Sequence, residues 1–267
     1  LIPKKIIHIW GQGEAKLSLL SKAALVNMKL LNPDFEFLFF DNKSIEAFIN
    51  DHFPRYSEII NSFRFPVQRY DFFRYLAIYQ LGGFYFDLDV FLVSALHSLL
   101  KYDCVFSFEE LTINRYLRQS CGLDWEIGNY AFGASPKHPF ILALIENCVR
   151  ALKDLNWVKP MMKGIPFIFQ KDFYAFYTSG PGLVTRTLAE RNDIADRITI
   201  LFPEDACDIN YWSCFGNIGI HLHKGTWVGR KAFIHNKLLR LWVLLVRKWA
   251  LKESMKLGPK RSWSRTR

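Results

Sequence analysis

The chain has 267 residues, 50% of them hydrophobic and 16% aromatic, enough to fill the core of a large domain and too apolar for a disordered or low-complexity protein. Its net charge of +10 looks like that of a nucleic-acid binder, but residues 236–267 hold ten Lys and Arg against Glu253 alone, a net of +9, so the body is near neutral and the basicity is a tail. The five cysteines are odd in number, widely spaced and without a Cys-x-x-Cys pair, which argues against zinc and against a complete disulfide framework.

In chain order, residues 2–10 predict a buried first strand, Gly11-Gln12-Gly13 a turn, and 18–31 a helix. A strand over 35–40, a helix over 44–53, a loop over 61–66 and a helix over 67–81 follow, the last closed by Gly82-Gly83. A strand over 84–93 comes next. This β-α-β-α-α-β rhythm predicts an α/β domain, Rossmann-like, with a largely parallel sheet and added helices. Beyond residue 100 the pattern predicts a short strand at 104–108, a polar loop to Ile127, a strand at 130–134 and a helix at 139–152. Residues 160–176 have no clean period; a turn at 177–182 feeds a helix at 183–190, and strands are expected at 198–202 and 218–223. No run approaches the ~20 apolar residues of a membrane-spanning helix, and no signal peptide is visible, although an anchor upstream of Leu1 stays open.

The most informative segment is Leu-Gly-Gly-Phe-Tyr-Phe-Asp-Leu-Asp-Val at 81–90. On a strand, Asp87 and Asp89 would point to one side, and two convergent carboxylates suit a hard cation such as Mg²⁺ or Mn²⁺; solvated carboxylates at a strand end are the alternative. Asp71 and Arg74 share a helical face, either as an intrahelical ion pair or as contacts to sugar and phosphate. Trp10 beside Gly11 could stack on a base or belong to the core. His221 and His223 share a face of a late strand and could ligate a metal or lie half exposed at an edge, and Lys224, Gly225 and Thr226 would suit a loop closing on a diphosphate.

Taken together, residues 2–10, Asp71-Phe72-Phe73-Arg74-Tyr75 and Gly82-Gly83-Phe84-Tyr85-Phe86-Asp87-Leu88-Asp89 resemble the Asp-x-Asp sugar transferases of glycosyltransferase family 32. Residues 129–140, 178–182 and 221–227 are similar to later motifs of that family, so the resemblance spans residues 2–227. It implies a GT-A type nucleotide-sugar-binding fold and a retaining, metal-dependent hexosyltransferase using a UDP- or GDP-hexose. By the same resemblance Trp10 and Gly11 lie at the base, Asp71 and Arg74 hold the donor sugar, Asp87 contacts ribose or sugar, and Asp89 binds Mn²⁺ or Mg²⁺. His221 falls where the family has a histidine, with Asp87 as a further metal ligand, and Thr226 and Trp227 contact the phosphate. No residue is assigned as nucleophile; the leaving phosphate itself helps deprotonate the acceptor. Tyr70 stands where a small residue is usual, and Thr226 where serine is usual.

The expected acceptor is a glycan or glycolipid, with no nucleic acid as partner. Residues 236–267 form a second unit beyond a catalytic domain at 1–235: basic and apolar residues alternate from Lys237 to Trp249, as in a helix lying on an anionic membrane. The expected location is the inner face of a bacterial membrane, or the Golgi lumen if an anchor precedes Leu1. A toxin-like transferase acting on a host protein and a catalytically silent sugar-binding module are the competing readings.

Overall fold

The computed structural model describes residues 1–212, 214–222 and 233–257. Its first half runs β1 (Lys5–Ile9), α1 (Leu19–Leu31), β2 (Glu36–Phe40), α2 (Asn42–His52), α3 (Ser57–Ser62), α4 (Pro66–Leu81) and β3 (Gly83–Phe86), and the helical crossovers let β1 pair in parallel with both β2 and β3. Local chemistry sets the helix starts. Ser18 accepts from the Ser21 amide ahead of α1, and Asp41 and Ser44 form a reciprocal cap on α2. Pro66 occupies the first turn of α4, where its missing N–H costs nothing, and Gln68 accepts from the Phe65 amide. Gly82 (φ 64°) and Gly83 (φ 99°) then reverse the chain into β3; a Cβ on Gly83 would fall 2.7 Å from the Lys5 carbonyl oxygen of the neighbouring strand.

The strand expected over 84–93 is in fact two. β3 stops at Phe86, the Asp87 amide donates to the Tyr130 carbonyl, and the Val90 amide returns to the Asp87 carbonyl at 3.2 Å, closing a turn. β4 (Val90–Leu92) then leaves for another sheet, held against α1 by Asn27, which exchanges two hydrogen bonds with the Leu92 backbone.

β5 (Cys104–Leu111) and β6 (Trp125–Ala134) are both longer than expected, and the supposed polar loop between them contains α5 (Arg115–Ser120). The six-stranded sheet has the order β2-β1-β3-β6-β5-β7, where β7 is Thr199–Leu201. Only β6 runs against its neighbours, so three of the five pairings are parallel and the sheet is mixed but mainly parallel. α6 (Pro139–Lys153), α7 (Leu155–Met162), α8 (Gln170–Thr178) and α9 (Pro181–Glu190) pack with α4 on the face that carries Ile7, Tyr85, Phe106 and Phe132. Ile6, Phe84, Phe86 and Val105 alternate onto the opposite face, beneath α1 and a three-stranded antiparallel sheet of β4, β9 (Gly219–His221) and β8 (Cys214–Phe215).

Of the basic segment, residues 236–257 lie in one helix, α10 (Phe233–Leu257), whose inner side is packed on the domain, and residues 258–267 lie outside the described residues. Ala250 is buried in the main core, Trp242 meets the rings of Phe169 and Phe173, and the Arg247 Nε donates to Glu110 Oε2 at 2.6 Å. Arg247 therefore points inward rather than toward any membrane. No helix among the described residues is long and apolar enough to cross a bilayer.

Candidate active site

Asp87 and Asp89 converge even though they do not share a strand. Asp87 sits where β3 ends, Asp89 where β4 begins, and His221 ends β9 directly across from Val90 in the antiparallel register. One ligand atom from each of Asp87, Asp89 and His221 can be chosen so that all three lie within 4.8 Å of one another, and His221 Nε2 is 3.2 Å from Asp89 Oδ1. The Tyr130 ring stacks on the imidazole at 4.3 Å between centroids and fixes its plane. Burial pulls the His221 pKa down, but the hydrogen bond it donates to Asp89 and the charges of Asp87 and Asp89 raise it above its ordinary value. Two carboxylates and an imidazole, converging and partly open, fit a divalent cation such as Mn²⁺ or Mg²⁺.

Behind this cluster α4 presents Asp71 and Arg74, both buried. Arg74 Nη2 lies 2.9 Å from Asp71 Oδ1, its Nη1 donates to the Asn129 carbonyl at 2.7 Å and lies 3.4 Å from Asp87 Oδ1, and its guanidinium rests 4.4 Å from the Tyr85 ring centroid. Asp71 also accepts from Asn129 Nδ2 and from the Ser179 hydroxyl, so both of its oxygens are occupied. Burial raises the Asp71 pKa, opposed by Arg74 and Ser179. Burial likewise disfavours the Arg74 charge, yet Tyr85, Asp71 and Asp87 around it raise its pKa overall. Three donors converge on this one carboxylate, and Asp71 acts through Arg74 rather than from the surface.

Trp10 follows β1, its amide donating to the Phe40 carbonyl, and its buried indole Nε1 has no hydrogen-bond partner among the described residues. Gly11 lies under Tyr70: a Cβ there would sit 2.1 Å from the Tyr70 hydroxyl oxygen and 2.6 Å from Asn42 Oδ1, to which that hydroxyl donates. The unusual tyrosine thus closes over the glycine and is anchored by Asn42.

Four further residues belong to this region. Tyr85 donates to Asp87 Oδ1 at 2.6 Å, and Asn129 and Ser179 complete the shell of Asp71. Glu109 occupies a bulge in β5, where the register against β6 slips between Phe108 and Glu110. A Cβ on the facing Gly128 would come within 2.7 Å of its Oε2. Burial pushes the Glu109 pKa up to about 7, with Glu110 adding and His221 opposing. The signal available was two glutamates inside the apolar run Cys-Val-Phe-Ser-Phe-Glu-Glu-Leu. His223, Thr226 and Trp227, with Lys224 and Gly225, lie outside the described residues.

Residues 21–106, which include the Asp87-Leu88-Asp89 turn and the Asp71–Arg74 helix, match the glycosyltransferase sugar-binding region containing the DXD motif. This stretch of the chain is therefore similar to that family's sugar-binding region. Among its relatives, a mannosyl phosphorylinositol ceramide synthase of Saccharomyces cerevisiae is 28% identical over 132 residues, 49% of this chain and 31% of the relative. Inositol phosphoceramide mannosyltransferase 2 of Schizosaccharomyces pombe is 29% identical over 153 residues, covering 57% of this chain and 40% of the relative. The matched stretches thus make up only 31% and 40% of these curated relatives. Among solved structures, the PaToxG glycosyltransferase aligns with a TM-score of 0.48 and 14% identity, over 94% of this chain and 79% of the other.

Proposed function

We propose that the protein is a GT-A type, metal-dependent, retaining glycosyltransferase that moves a hexose, with mannose the first choice, from a nucleoside diphosphate sugar to a hydroxyl of an inositol-containing glycolipid. The observation that carries the reading is the convergence of Asp87, Asp89 and His221 beside the buried Asp71–Arg74 pair. The relatives named above support the choice of sugar and acceptor, since one is named a mannosyl phosphorylinositol ceramide synthase and the other an inositol phosphoceramide mannosyltransferase.

In this reading Asp87, Asp89 and His221 hold Mn²⁺ or Mg²⁺, which when bound supplies Lewis-acid stabilisation of charge on the departing diphosphate. Arg74, fixed by Asp71 and the Asn129 carbonyl, orients the donor with its remaining N–H groups at little cost in side-chain entropy. Trp10 offers its ring to the nucleotide base, with its indole N–H as a spare donor. The outer row of α10, where Leu238, Leu241 and Leu245 are about half exposed next to Lys248 and Lys252, lies against the membrane that holds the acceptor.

The test is a panel of UDP- and GDP-sugars incubated with Mn²⁺ or Mg²⁺, scored for release of the nucleoside diphosphate, followed by assignment of the product anomer by NMR. Metal-dependent release from one donor, lost in Asp89→Asn with the circular dichroism unchanged, is the expected result. Failure of every donor with both metals defeats the reading.

A further inference from the structure

A second polar feature lies outside the donor site, in the groove of about 560 Å³ between α7 and α8. Arg64, Lys159, Lys163 and Lys171 line it, and no carboxylate does so among the described residues. Arg64 stacks near the rings of Phe65 and Tyr174, and Lys171 also reaches the Phe65 ring, so two of the four cations are steered by aromatic contacts. The floor is apolar, from Val158 and Met162. At the rim stands a short turn that carries Phe167 and Ile168, 87% and 58% exposed. Folding does not leave a phenylalanine so exposed for the benefit of the domain core, and its neighbours Phe169 and Ile165 are both buried.

We propose that this groove binds the phosphorylated headgroup of an anionic lipid within a bilayer, with Phe167 and Ile168 entering the interfacial layer beside it. Four cations with no carboxylate lining the groove among the described residues match a phosphate-bearing surface, and a protruding aromatic-aliphatic tip matches the acyl boundary beneath it. The surface is continuous with α10: Lys163 also lines the neighbouring groove formed with Trp242, Val246 and Trp249 of that helix. It is also coupled to the donor site through α8. The N-terminal half of α8 supplies Gln170, Lys171 and Tyr174 to the groove; Thr178 at its end accepts from Gln68 and donates to the Tyr174 carbonyl, and Ser179 beyond it holds Asp71. Nine helical residues span about 13 Å, so a headgroup in the groove lies roughly one short helix from Arg74 and its partner.

The experiment is co-sedimentation of the full chain with vesicles of phosphatidylcholine alone and of phosphatidylcholine mixed with phosphatidylserine. Three double variants are compared: Phe167→Asp with Ile168→Asp, Lys163→Glu with Lys171→Glu, and Leu241→Asp with Leu245→Asp on α10. Circular dichroism and donor hydrolysis without lipid serve as folding controls, since all six side chains are exposed. The expected result is binding to the mixed vesicles only, reduced by each of the first two variants, and at least about tenfold by the lysine pair, at on the order of fivefold per basic residue removed. Undiminished binding by both overturns the proposal, and so does release by the α10 variant alone, which leaves the α10 reading standing. Wild-type protein that ignores vesicles but binds inorganic phosphate or an acidic peptide also overturns it. None of these outcomes bears on donor hydrolysis, so the groove and the transferase reading fail separately.

Discussion

The Tyr85 hydroxyl donates to Asp87 Oδ1 at 2.6 Å, two residues along the same chain, and takes up one lone pair of a carboxylate that also faces Arg74. Tyr85 is buried, and burial together with Asp87 raises its pKa well above the ordinary phenol value, opposed by Arg74, so it remains a donor throughout the working pH range. In the proposed cation site this hydrogen bond fixes the aim of the Asp87 carboxylate beside Asp89 and His221. Tyr85→Phe keeps the packing and removes the aim, and Mn²⁺ affinity measured by titration calorimetry is expected to fall about 10- to 100-fold. Unaltered affinity would mean that Asp87 is oriented by Arg74 alone.

The Asp71 shell makes a graded prediction. Ser179→Ala removes one hydrogen bond to a charged acceptor and is expected to lower the unfolding free energy by about 1.5–3 kcal/mol. Asp71→Ala leaves Arg74 buried with one of its three polar partners gone, at about 3–5 kcal/mol. Urea denaturation distinguishes the two, and equal losses would contradict the assigned geometry.

Gly11→Ala forces its new methyl group into the Tyr70 hydroxyl and Asn42. Overpacking of this kind costs about 1–3 kcal/mol, and Tyr70→Ala introduced alongside should recover most of it. A double-mutant cycle on thermal unfolding reads the coupling; additive losses would show that Tyr70 does not close over Gly11.

The pH dependence of stability carries two opposed contributions. His8 is buried on β1, donating from Nδ1 to the Phe86 carbonyl at 3.0 Å, and burial lowers its pKa from 6.5 to about 4. The unfolded chain therefore binds a proton that the folded chain refuses, and stability is lost as pH falls from about 6.5 to about 4, by about 3 kcal/mol. Glu109 has the opposite sign: its pKa is raised by burial to about 7, so its contribution is lost as pH climbs from its ordinary value toward 7. His8→Asn, which retains a donor to the Phe86 carbonyl, should flatten the acid limb of the difference curve, and Glu109→Gln the neutral limb. Chemical denaturation across pH 4–8 measures both; superimposable wild-type and variant profiles would contradict the burial of both groups.

Most of the first half was legible because its signals are local. Ser18, Asp41, Pro66 and Gly82-Gly83 mark the ends of α1, α2 and α4 in a way that needs no tertiary context. The break at Asp87 was not legible, because Phe-Asp-Leu-Asp-Val alternates equally well through a turn, and only the hydrogen bond between Val90 and Asp87 ends the strand. Glu126 made the start of β6 look like a polar loop; in the fold it is fully buried and accepts a short hydrogen bond from Thr112, with burial raising its pKa. Pro160, Gly164 and Pro166 interrupt the period across α7 and α8. At the site, Asp71, Arg74, Asp87, Asp89 and His221 were identifiable from motif order, and the structure brings them together. Ser179 and Glu109 were not, since a serine in a Gly-Pro turn and a glutamate on a strand bulge acquire meaning only through distant partners.

The division of the triad between two sheets limits how far the site can be dismantled. Asp87 belongs to the end of the large sheet, while Asp89 and His221 flank the pairing of β4 with β9, contributed by chain more than a hundred residues later. A fragment ending at residue 106 would contain the whole matched DXD region and still lack His221, so under the proposed cation binding it would be left with two of the three donors. Supplying the missing β8–β9 hairpin as a separate peptide would turn cation uptake into a bimolecular, concentration-dependent event. In this protein the motif is half of a clasp, and the other half is written near the far end of the chain.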